Sequence, residues 1–306
     1  MSPLARLIFN PKDDPVLKRL QDDNQWVEPE WYMPIIPMVL VNGAEGIGTG
    51  WATKIPNYNP REIVQMIFDL LNGKDLDDLK PLVPWYKGFK GIIEPLEHQR
   101  YVCHGEISEL SDTKVVITEL PVKTWTNNYK ETLETMQTGS EKTKPQITDY
   151  SNYSGDYSVH FEVSMTPEEK RNADLQKGLH AFFKLQTSIG TSSMVLFDQH
   201  GCIKKYEDVK QILKEFFDLR LEFYGKRKKY LEGMLGAEAL KLSNQARFII
   251  EKCDGSLVVE NKKRKKMIEE LVKRNYDADP VKKWKHAQAQ QTEEAPEDQV
   301  RFLERF

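Results

Sequence analysis

One run of apolar residues constrains the fold of this chain more than any other feature. It extends from Val209 to Ala237 with a polar gap at Lys226, and its members recur mostly at alternating steps of three and four residues: Ile212, Phe216, Leu219, Phe223, Tyr230, Met234 and Ala237. This spacing predicts one helix with a coiled-coil-like seam, about 43 Å long at roughly 1.5 Å per residue. Because no comparable run follows it, we expect the seam to be unpaired within the chain and to need a neighbouring helix.

A glycine-rich segment, Asn42–Trp51, is predicted to form a tight loop, because its four glycines allow a positive φ or a close approach to another molecule. Its spacing matches neither a phosphate loop nor the dinucleotide-binding fingerprint. Within it Ile47 is flanked by Gly46 and Gly48. A stiff β-branched side chain on a thin backbone suits an apolar wedge that unstacks DNA base steps. A purely structural turn and a buried hydrophobic plug remain open as alternatives.

Shorter patterns predict the other elements. Helices are expected over Pro15–Asp23 and Pro60–Leu71, where apolar residues recur at helical spacing. A third helix should follow Thr166, because Thr-Pro-Glu-Glu supplies a cap, a first-turn proline and first-turn acids. Short β-type runs lie within residues 85–200: Tyr101–Ile107, Lys114–Thr118, Val159–Val163 and Met194–Phe197. Strands alternating with helical pieces and turns predict a separate α/β lobe.

Composition excludes several classes of protein. No stretch approaches the roughly 20 apolar residues of a membrane helix, so no membrane partner is expected. Cys103, Cys202 and Cys253 are too few and too widely spaced for a disulfide framework or a zinc knuckle, and we expect them to be reduced and at least partly buried. The net charge is −3, but residues 201–290 carry 22 Lys+Arg against 14 Asp+Glu. This local excess suits either a polyanionic partner or a solvated helical surface.

Three segments near the N-terminus carry the most specific pattern in the chain: Glu28–Tyr32, Pro34–Met38 and Asn42–Trp51. Four more follow later: Ile117–Thr126, Phe183–Ser188, Met194–Asp198 and Gln245–Ile249. Together, and in this order, they resemble the cleavage core of the eukaryotic type IIA DNA topoisomerases. The resemblance covers roughly residues 2–290, and several ordered matches are more specific than any single motif.

The resemblance implies an α+β fold built from successive parts of that core. These are a remnant of the winged-helix and gate region with the glycine-rich loop, an α/β tower or shoulder lobe, a long coiled-coil arm helix, a partial C-terminal gate and an acidic tail. The expected boundaries, in the same order, are residues 1–84, 85–206, 207–244, 245–290 and 291–306.

Two segments are expected to bind DNA. Ile47, with Gly46 and Gly48, is similar to the family's isoleucine that intercalates to bend the gate DNA. Residues 183–188 are similar to a DNA-contacting segment of the shoulder, and its expected contact residues are Lys184, Leu185, Gln186, Thr187 and Ser188. Independently, a lysine beside amide and hydroxyl groups suits contacts to phosphates, which position a duplex without reading its sequence. An ordinary polar loop is the alternative.

The resemblance also bears on catalysis. The family cuts DNA with a tyrosine helped by an adjacent arginine, both just before the position similar to Leu4, and it uses Mg²⁺ and ATP through further domains. None of these is identified in residues 1–306, so we expect no catalytic residue, metal ligand or bound cofactor in this chain. Asp75-Leu-Asp77 and Asp277-Ala-Asp279 spell Asp-x-Asp but are interpreted as surface or capping carboxylates.

The expected function is that of a topoisomerase II-like protein of the nucleus and its chromosomes that binds or bends duplex DNA and is inactive alone. It would act beside full-length topoisomerase II in chromosome organisation, mitotic segregation or sister chromatid resolution, or as a homodimer through residues 207–285. Two alternatives remain: a component contributing to ATP-dependent strand passage with a tyrosine-bearing partner, and a protein-interaction module docking through the exposed seam. Lys262–Lys266 is either a nuclear import signal or a solvated, phosphate-facing helix start.

Overall fold

The computed structural model describes residues 2–139, 144–176 and 178–293. The chain divides into two compact units, one of Met1–Ile35 with Asp218–Phe306 and one of Ile36–Phe217. They are called the long-helix unit and the hairpin unit below. Of the predicted acidic tail, only residues 291–293 lie within the described part. Helices and strands are mixed along the chain, so the predicted α+β class is confirmed.

The elements of the described residues are given in chain order. The helices are α1 Ala5–Ile8, α2 Met38–Asn42, α3 Pro60–Leu71, α4 Thr126–Thr138, α5 Pro167–Gln176, α6 Leu179–Phe182, α7 Val209–Cys253, α8 Arg264–Lys273 and α9 Pro280–Glu293. The strands are β1 Arg19–Asp22, β2 Gln25–Pro29, β3 Ala44–Ile47, β4 Ala52–Ile55, β5 Ile92–Leu96, β6 Arg100–His104, β7 Glu106–Ser111, β8 Lys114–Glu119, β9 Asp149–Asn152, β10 Phe161–Ser164, β11 Gln186–Gly190, β12 Met194–Phe197 and β13 Ile203–Tyr206.

The hairpin unit contains two larger antiparallel sheets, ordered β7-β8-β10-β9 and β11-β6-β5, and two-stranded pairs β3-β4 and β12-β13. The run predicted as a single strand, Tyr101–Ile107, is two strands that separate at Gly105. A Cβ at Gly105 would lie 2.4 Å from the carbonyl oxygen of Glu119, so only glycine lets the backbone pass there. This break assigns β6 and β7 to different sheets.

Two helices confirm their sequence signals in full. Helix α3 begins at Pro60 behind Asn59, whose side-chain oxygen accepts the Arg61 N–H at 3.0 Å. Its face buries Ile63 and Leu70 in the core of the hairpin unit. Helix α5 begins with a reciprocal capping box, in which Thr166 and Glu169 each accept the other's backbone N–H.

The helix predicted over Pro15–Asp23 is wrong. Only a 3₁₀ turn over Asp14–Val16 is helical, and β1 then pairs with β2 as an antiparallel hairpin. Asp23 and Asn24 have φ values of 43° and 63°, the left-handed geometry of a two-residue hairpin turn. The apolar spacing near Val16 mimicked a helix, while the Asp-Asn pair was the stronger signal.

The long helix α7 is confirmed, but it ends at Cys253, beyond the predicted arm boundary of 244. The prediction of an unpaired seam is wrong at several of its residues. Within the long-helix unit, the Phe223 ring lies 5.2 Å from Trp31, and the Tyr230 ring lies 4.8 Å from Trp284 on α9. Phe223 and Ala237 are buried. No helix in the described residues, α7 included, is apolar enough over its length to span a membrane.

The three cysteines differ in exposure. Cys103 is buried on β6, as expected, and burial is the main cause that raises the pKa of its thiol. Cys202 and Cys253 are exposed, so the prediction of partial burial is wrong for these two. Both lie where an element begins or ends, just before β13 and at the last residue of α7.

Candidate nucleic-acid interface

The glycine-rich segment forms a β-hairpin. Strands β3 and β4 pair from Ala44 with Ile55 to Ile47 with Ala52, which leaves a four-residue tip at residues 48–51. The tip is closed by the Gly48 N–H, which donates to the carbonyl of Trp51 at 2.8 Å. Gly50 adopts a φ of +76°, a conformation that the glycine sequence makes accessible without strain.

Ile47 stands at the end of β3 with 96% of its side chain exposed. A Cβ at the neighbouring Gly46 would meet no atom within 4 Å, so the strand beside the isoleucine is thin and open. This exposure excludes the alternative of a buried hydrophobic plug. A fully exposed isoleucine gains about 1.5–3 kcal/mol when it is buried against another apolar surface.

The root of the hairpin is held in place. Gly43 has a φ of +68°, and a Cβ there would lie 2.7 Å from the carbonyl oxygen of Ile55. The side-chain amide of Asn57 donates to the carbonyls of Val41 and Asn42, at 3.2 and 2.9 Å. These contacts fix the direction in which the hairpin leaves α2.

The second predicted segment lies at the start of β11. Lys184 is exposed and has a left-handed backbone with a φ of 54°. Leu185 is completely buried, its N–H donates to His180, and its carbonyl accepts from Gly105. Leu185 therefore anchors the segment and has no free group for a DNA contact, unlike the role expected from the sequence.

The residues that follow alternate along β11. Gln186 and Ser188 are exposed on one face, while Thr187 is half-buried and lies opposite Cys103 of β6. Alternation is what strand geometry dictates, because successive side chains point to opposite faces. Lys184, Gln186 and Ser188 are therefore the members of this segment that present polar side chains to solvent.

A cavity of about 290 Å³ brings the two predicted segments together within the hairpin unit. Polar residues from the hairpin, from β11 and from the turn before α4 line it: Glu45, Lys54, Asn57, Lys123, Thr124, Thr187 and Ser188. Cys103 explains the proximity, because it pairs with Thr187 and its Sγ accepts the Val122 N–H at 3.5 Å.

An ion pair between Lys123 and Glu45 spans this cavity, and the sequence reasoning missed it. Both side chains are more than half exposed. The hydrogen bond from Lys123, followed by its charge, holds the pKa of the Glu45 carboxyl below its usual range. The two residues lie 78 positions apart, so no local pattern could have connected them.

The two Asp-x-Asp sequences have different surroundings. Asp75 and Asp77 are exposed. Asp279 caps α9 by accepting the N–H groups of Val281 and Lys282, and Asp277 accepts from the side-chain amide of Asn244. No group of three His, Cys, Asp or Glu side chains that could hold a metal ion is found among the residues described.

The basic run Lys262–Lys266 lies at the start of α8. Lys263 is the residue before the first turn, and Lys262 forms an ion pair with Glu270 further along the same helix. The run is therefore a helix start in this structure, the second of its two interpretations. A role in nuclear import stays a prediction.

The protein family of DNA gyrase and topoisomerase IV matches residues 1–294. The chain belongs to this family. It is 57% identical to DNA topoisomerase 2-alpha of Cricetulus griseus and 58% identical to that of Homo sapiens, in each case over 94% of this chain and 19% of the relative. It thus spans about a fifth of the length of these topoisomerases. The resemblance predicted from the segments is confirmed.

A solved structure of the same family supports the fold. It is the DNA-binding, cleavage and re-ligation domain of Plasmodium falciparum topoisomerase II, 40% identical, with a TM-score of 0.79. The match covers 89% of this chain and 36% of that one. The α+β architecture described above is therefore that of a topoisomerase II cleavage core.

Proposed function

We propose that this chain holds and bends duplex DNA in the manner of a topoisomerase II core. The observation that carries this proposal is the side chain of Ile47, 96% exposed at the end of a hairpin whose root is fixed by Gly43 and Asn57. An exposed aliphatic side chain on a stiff projection has the form of a wedge between base steps.

Magnitudes decide that the wedge does not act alone. Bending a duplex of 20–30 base pairs by 40–90° costs roughly 1–6 kcal/mol, whereas burial of one isoleucine contributes about 1.5–3 kcal/mol. The difference has to come from contacts to the sugar-phosphate backbone. Lys184, Gln186 and Ser188 present suitable groups on the same unit, and hydrogen bonds from an ammonium, an amide and a hydroxyl to phosphate oxygens do not depend on the base sequence.

The cellular role follows from the relatives. Because they are eukaryotic topoisomerases, we assign the chain to the nucleus and its chromosomes, where it would act with full-length topoisomerase II in chromosome organisation or segregation. We assign no strand cleavage, Mg²⁺ binding or ATP use to the residues described here. The function proposed for them is confined to holding and bending.

Binding and bending are tested on a duplex of about 30 base pairs labelled at both ends. Affinity for the purified chain should fall steeply with salt, because each neutralised phosphate adds about 0.9 to the slope of log affinity against log salt. Ile47→Ala should keep most of this affinity and lose most of the end-to-end energy transfer that reports bending.

The matched control is Ile92→Ala. Ile92 is the same residue type, lies in the same unit on β5 and is 62% exposed. It should leave both affinity and bending unchanged. Equal bending by the wild-type chain and Ile47→Ala would remove the wedge, and no affinity for duplexes in dilute buffer would remove the function.

A second candidate function is participation in ATP-dependent strand passage with a tyrosine-bearing partner. The observation that favours it is the family match, which extends over nearly the whole chain. A plasmid relaxation assay with Mg²⁺ and ATP tests it, with and without a complete topoisomerase II. Stimulation by the chain would support this candidate, and relaxation by the chain alone would contradict a role confined to holding and bending.

A further inference from the structure

Lys123 is held in an unusual backbone conformation beside the hairpin. It has a φ of 72°, and its turn is closed by the Thr124 N–H, which donates to the Pro121 carbonyl at 3.0 Å. A positive φ is uncommon for a residue with a long side chain and tends to occur where a fold needs one specific direction. In this turn it directs the ammonium group to Glu45.

Glu45 lies between two lysines. Lys54 is its cross-strand partner in the β3-β4 register, and Lys123 reaches it from the turn. Both lysines lower the pKa of Glu45, with the hydrogen bond and charge of Lys123 the larger causes, so the carboxylate is ionised near neutral pH. The arrangement is one anion enclosed by two cations at the edge of an open cavity.

The position of this anion relates it to the wedge. Glu45 and Ile47 are two residues apart on β3, so their side chains leave the same face of the hairpin. The hydroxyl groups of Thr187 and Ser188 line the same cavity as Glu45 and Lys123. A duplex that received Ile47 would bring its phosphates to the face that carries this carboxylate.

We propose, on the basis of the function proposed above, that Glu45 occupies the place a DNA phosphodiester takes at Lys123 when a duplex is bound. Carboxylate and phosphate oxygens are equivalent acceptors for an ammonium donor, so one can replace the other. Lys123 is then a further DNA-binding residue, and Glu45 is an internal competitor that is displaced on binding.

The exposure of the pair makes such an exchange feasible. The side chains of Lys123 and Glu45 are 60% and 55% exposed, so neither charge loses its solvation when the pair separates. Lys54 stays next to Glu45 across the hairpin and supplies a second cation after Lys123 has turned to the phosphate. The left-handed turn at Lys123 keeps the ammonium at the cavity in both states.

Duplex affinity of the full chain, measured at several salt concentrations, tests the exchange. Glu45→Gln keeps the size of the side chain and removes the competing charge, so affinity should rise about three- to ten-fold at low salt. Lys123→Gln should lower affinity by a similar factor and reduce the salt slope by about 1. Lys123→Arg should retain the affinity of the wild-type chain, because the charge is kept.

The matched control is Glu134→Gln on α4. Glu134 forms an ion pair with Lys130 in the same unit, both side chains are about half exposed, and the pair lies outside the residues lining the cavity. It makes the same change in net charge as Glu45→Gln, so it measures the nonspecific gain in affinity. Only the gain of Glu45→Gln above that of Glu134→Gln counts for the exchange.

The outcomes separate the exchange from the proposed function. In the double variant Glu45→Gln with Lys123→Gln, the specific gain should be lost. If the pair only braces the hairpin, Glu45→Gln will weaken binding and bending together, and the exchange is overturned. Equal gains from Glu45→Gln and Glu134→Gln overturn it as well, while wild-type binding and the loss of bending in Ile47→Ala would leave the proposed function intact.

Discussion

The two units of the chain each contain an ion pair that joins distant parts of the sequence, but the two pairs differ in exposure. In the long-helix unit, Asp13 and Arg220 are 2% and 4% exposed and lie 2.8 Å apart. In the hairpin unit, the side chains of Glu45 and Lys123 are more than half exposed. Burial makes removal of one partner costly, whereas exposure makes exchange of a partner possible. The same chemistry is thus structural in one unit and available for binding in the other.

The buried pair is part of a larger cluster. Arg227 also approaches Asp13, at 3.4 Å, and the guanidinium groups of Arg220 and Arg227 lie 4.0 and 4.9 Å from the ring centre of Tyr224. One carboxylate and one aromatic face therefore serve two cations. The cluster ties the N-terminal segment of the long-helix unit to α7.

The largest effect is expected from Asp13→Ala. It leaves the buried guanidinium of Arg220 without its anion, which should lower the free energy of unfolding by about 3–5 kcal/mol. Asp14→Ala is the matched control, because Asp14 pairs with Arg6 at the similar distance of 2.7 Å but is 35% exposed, and it should cost no more than about 1 kcal/mol. Denaturant unfolding measures both. Equal losses would end the contrast between the two pairs.

A smaller effect is expected from Gly233→Ala on the buried side of α7. The added Cβ would lie 2.6 Å from Nε1 of Trp284, a ring already packed against Tyr230, so we expect a loss of about 1–3 kcal/mol from overpacking. Gly236→Ala meets no atom within 4 Å and should instead stabilise the helix by about 0.5–1 kcal/mol. Thermal unfolding of the two variants gives opposite signs if α9 covers the seam.

The exposed pair should contribute a still smaller, pH-dependent stability. The folded-state pKa of Glu45 is lowered from 4.5, mainly by Lys123, so the contribution is complete above about pH 5 and is lost as the pH falls through the lower folded value. Glu45→Gln should remove this dependence. Unfolding curves of both chains between pH 6 and about pH 3 would differ only at the upper end, and a difference that grew on acidification would contradict the assignment.

The smallest effect on stability is expected from Ile47→Ala. The side chain is almost fully exposed, so its removal should change the free energy of unfolding by less than about 0.5 kcal/mol. A loss of DNA bending without a loss of stability would separate this surface from the buried contacts of the long-helix unit. A loss above about 1 kcal/mol, measured by denaturant unfolding, would mean that Ile47 is packed in solution.

Local signals carried most of what the sequence could predict. Helix α3 follows from Asn59, Pro60 and its apolar face, and α5 follows from its capping box. Strand β12 was predicted at its observed bounds, Met194–Phe197. In each case the residues that determine the element lie within a few positions of one another.

Contacts between distant residues account for the rest. Trp284 covers part of the seam through a single ring, and one residue produces no periodic pattern. The Glu45–Lys123 pair depends on a turn, a hairpin and the pairing of β6 with β11, none of which sequence spacing relates. Ile47 was identified from its flanking glycines and the family resemblance, while its exposure required the structure.

The fixed root of the hairpin has a mechanical consequence. Asn57 ties two carbonyls at one strand, and on the other strand the Lys54 N–H donates to Ser193 at 2.7 Å, so both legs of this small arm are fastened. A sideways load on the tip cannot be relieved by swinging the whole arm. The compliance resides in the glycine-rich end, Gly48–Gly50, and a stiff rod pressed against Ile47 would deflect that end first while the arm keeps its bearing.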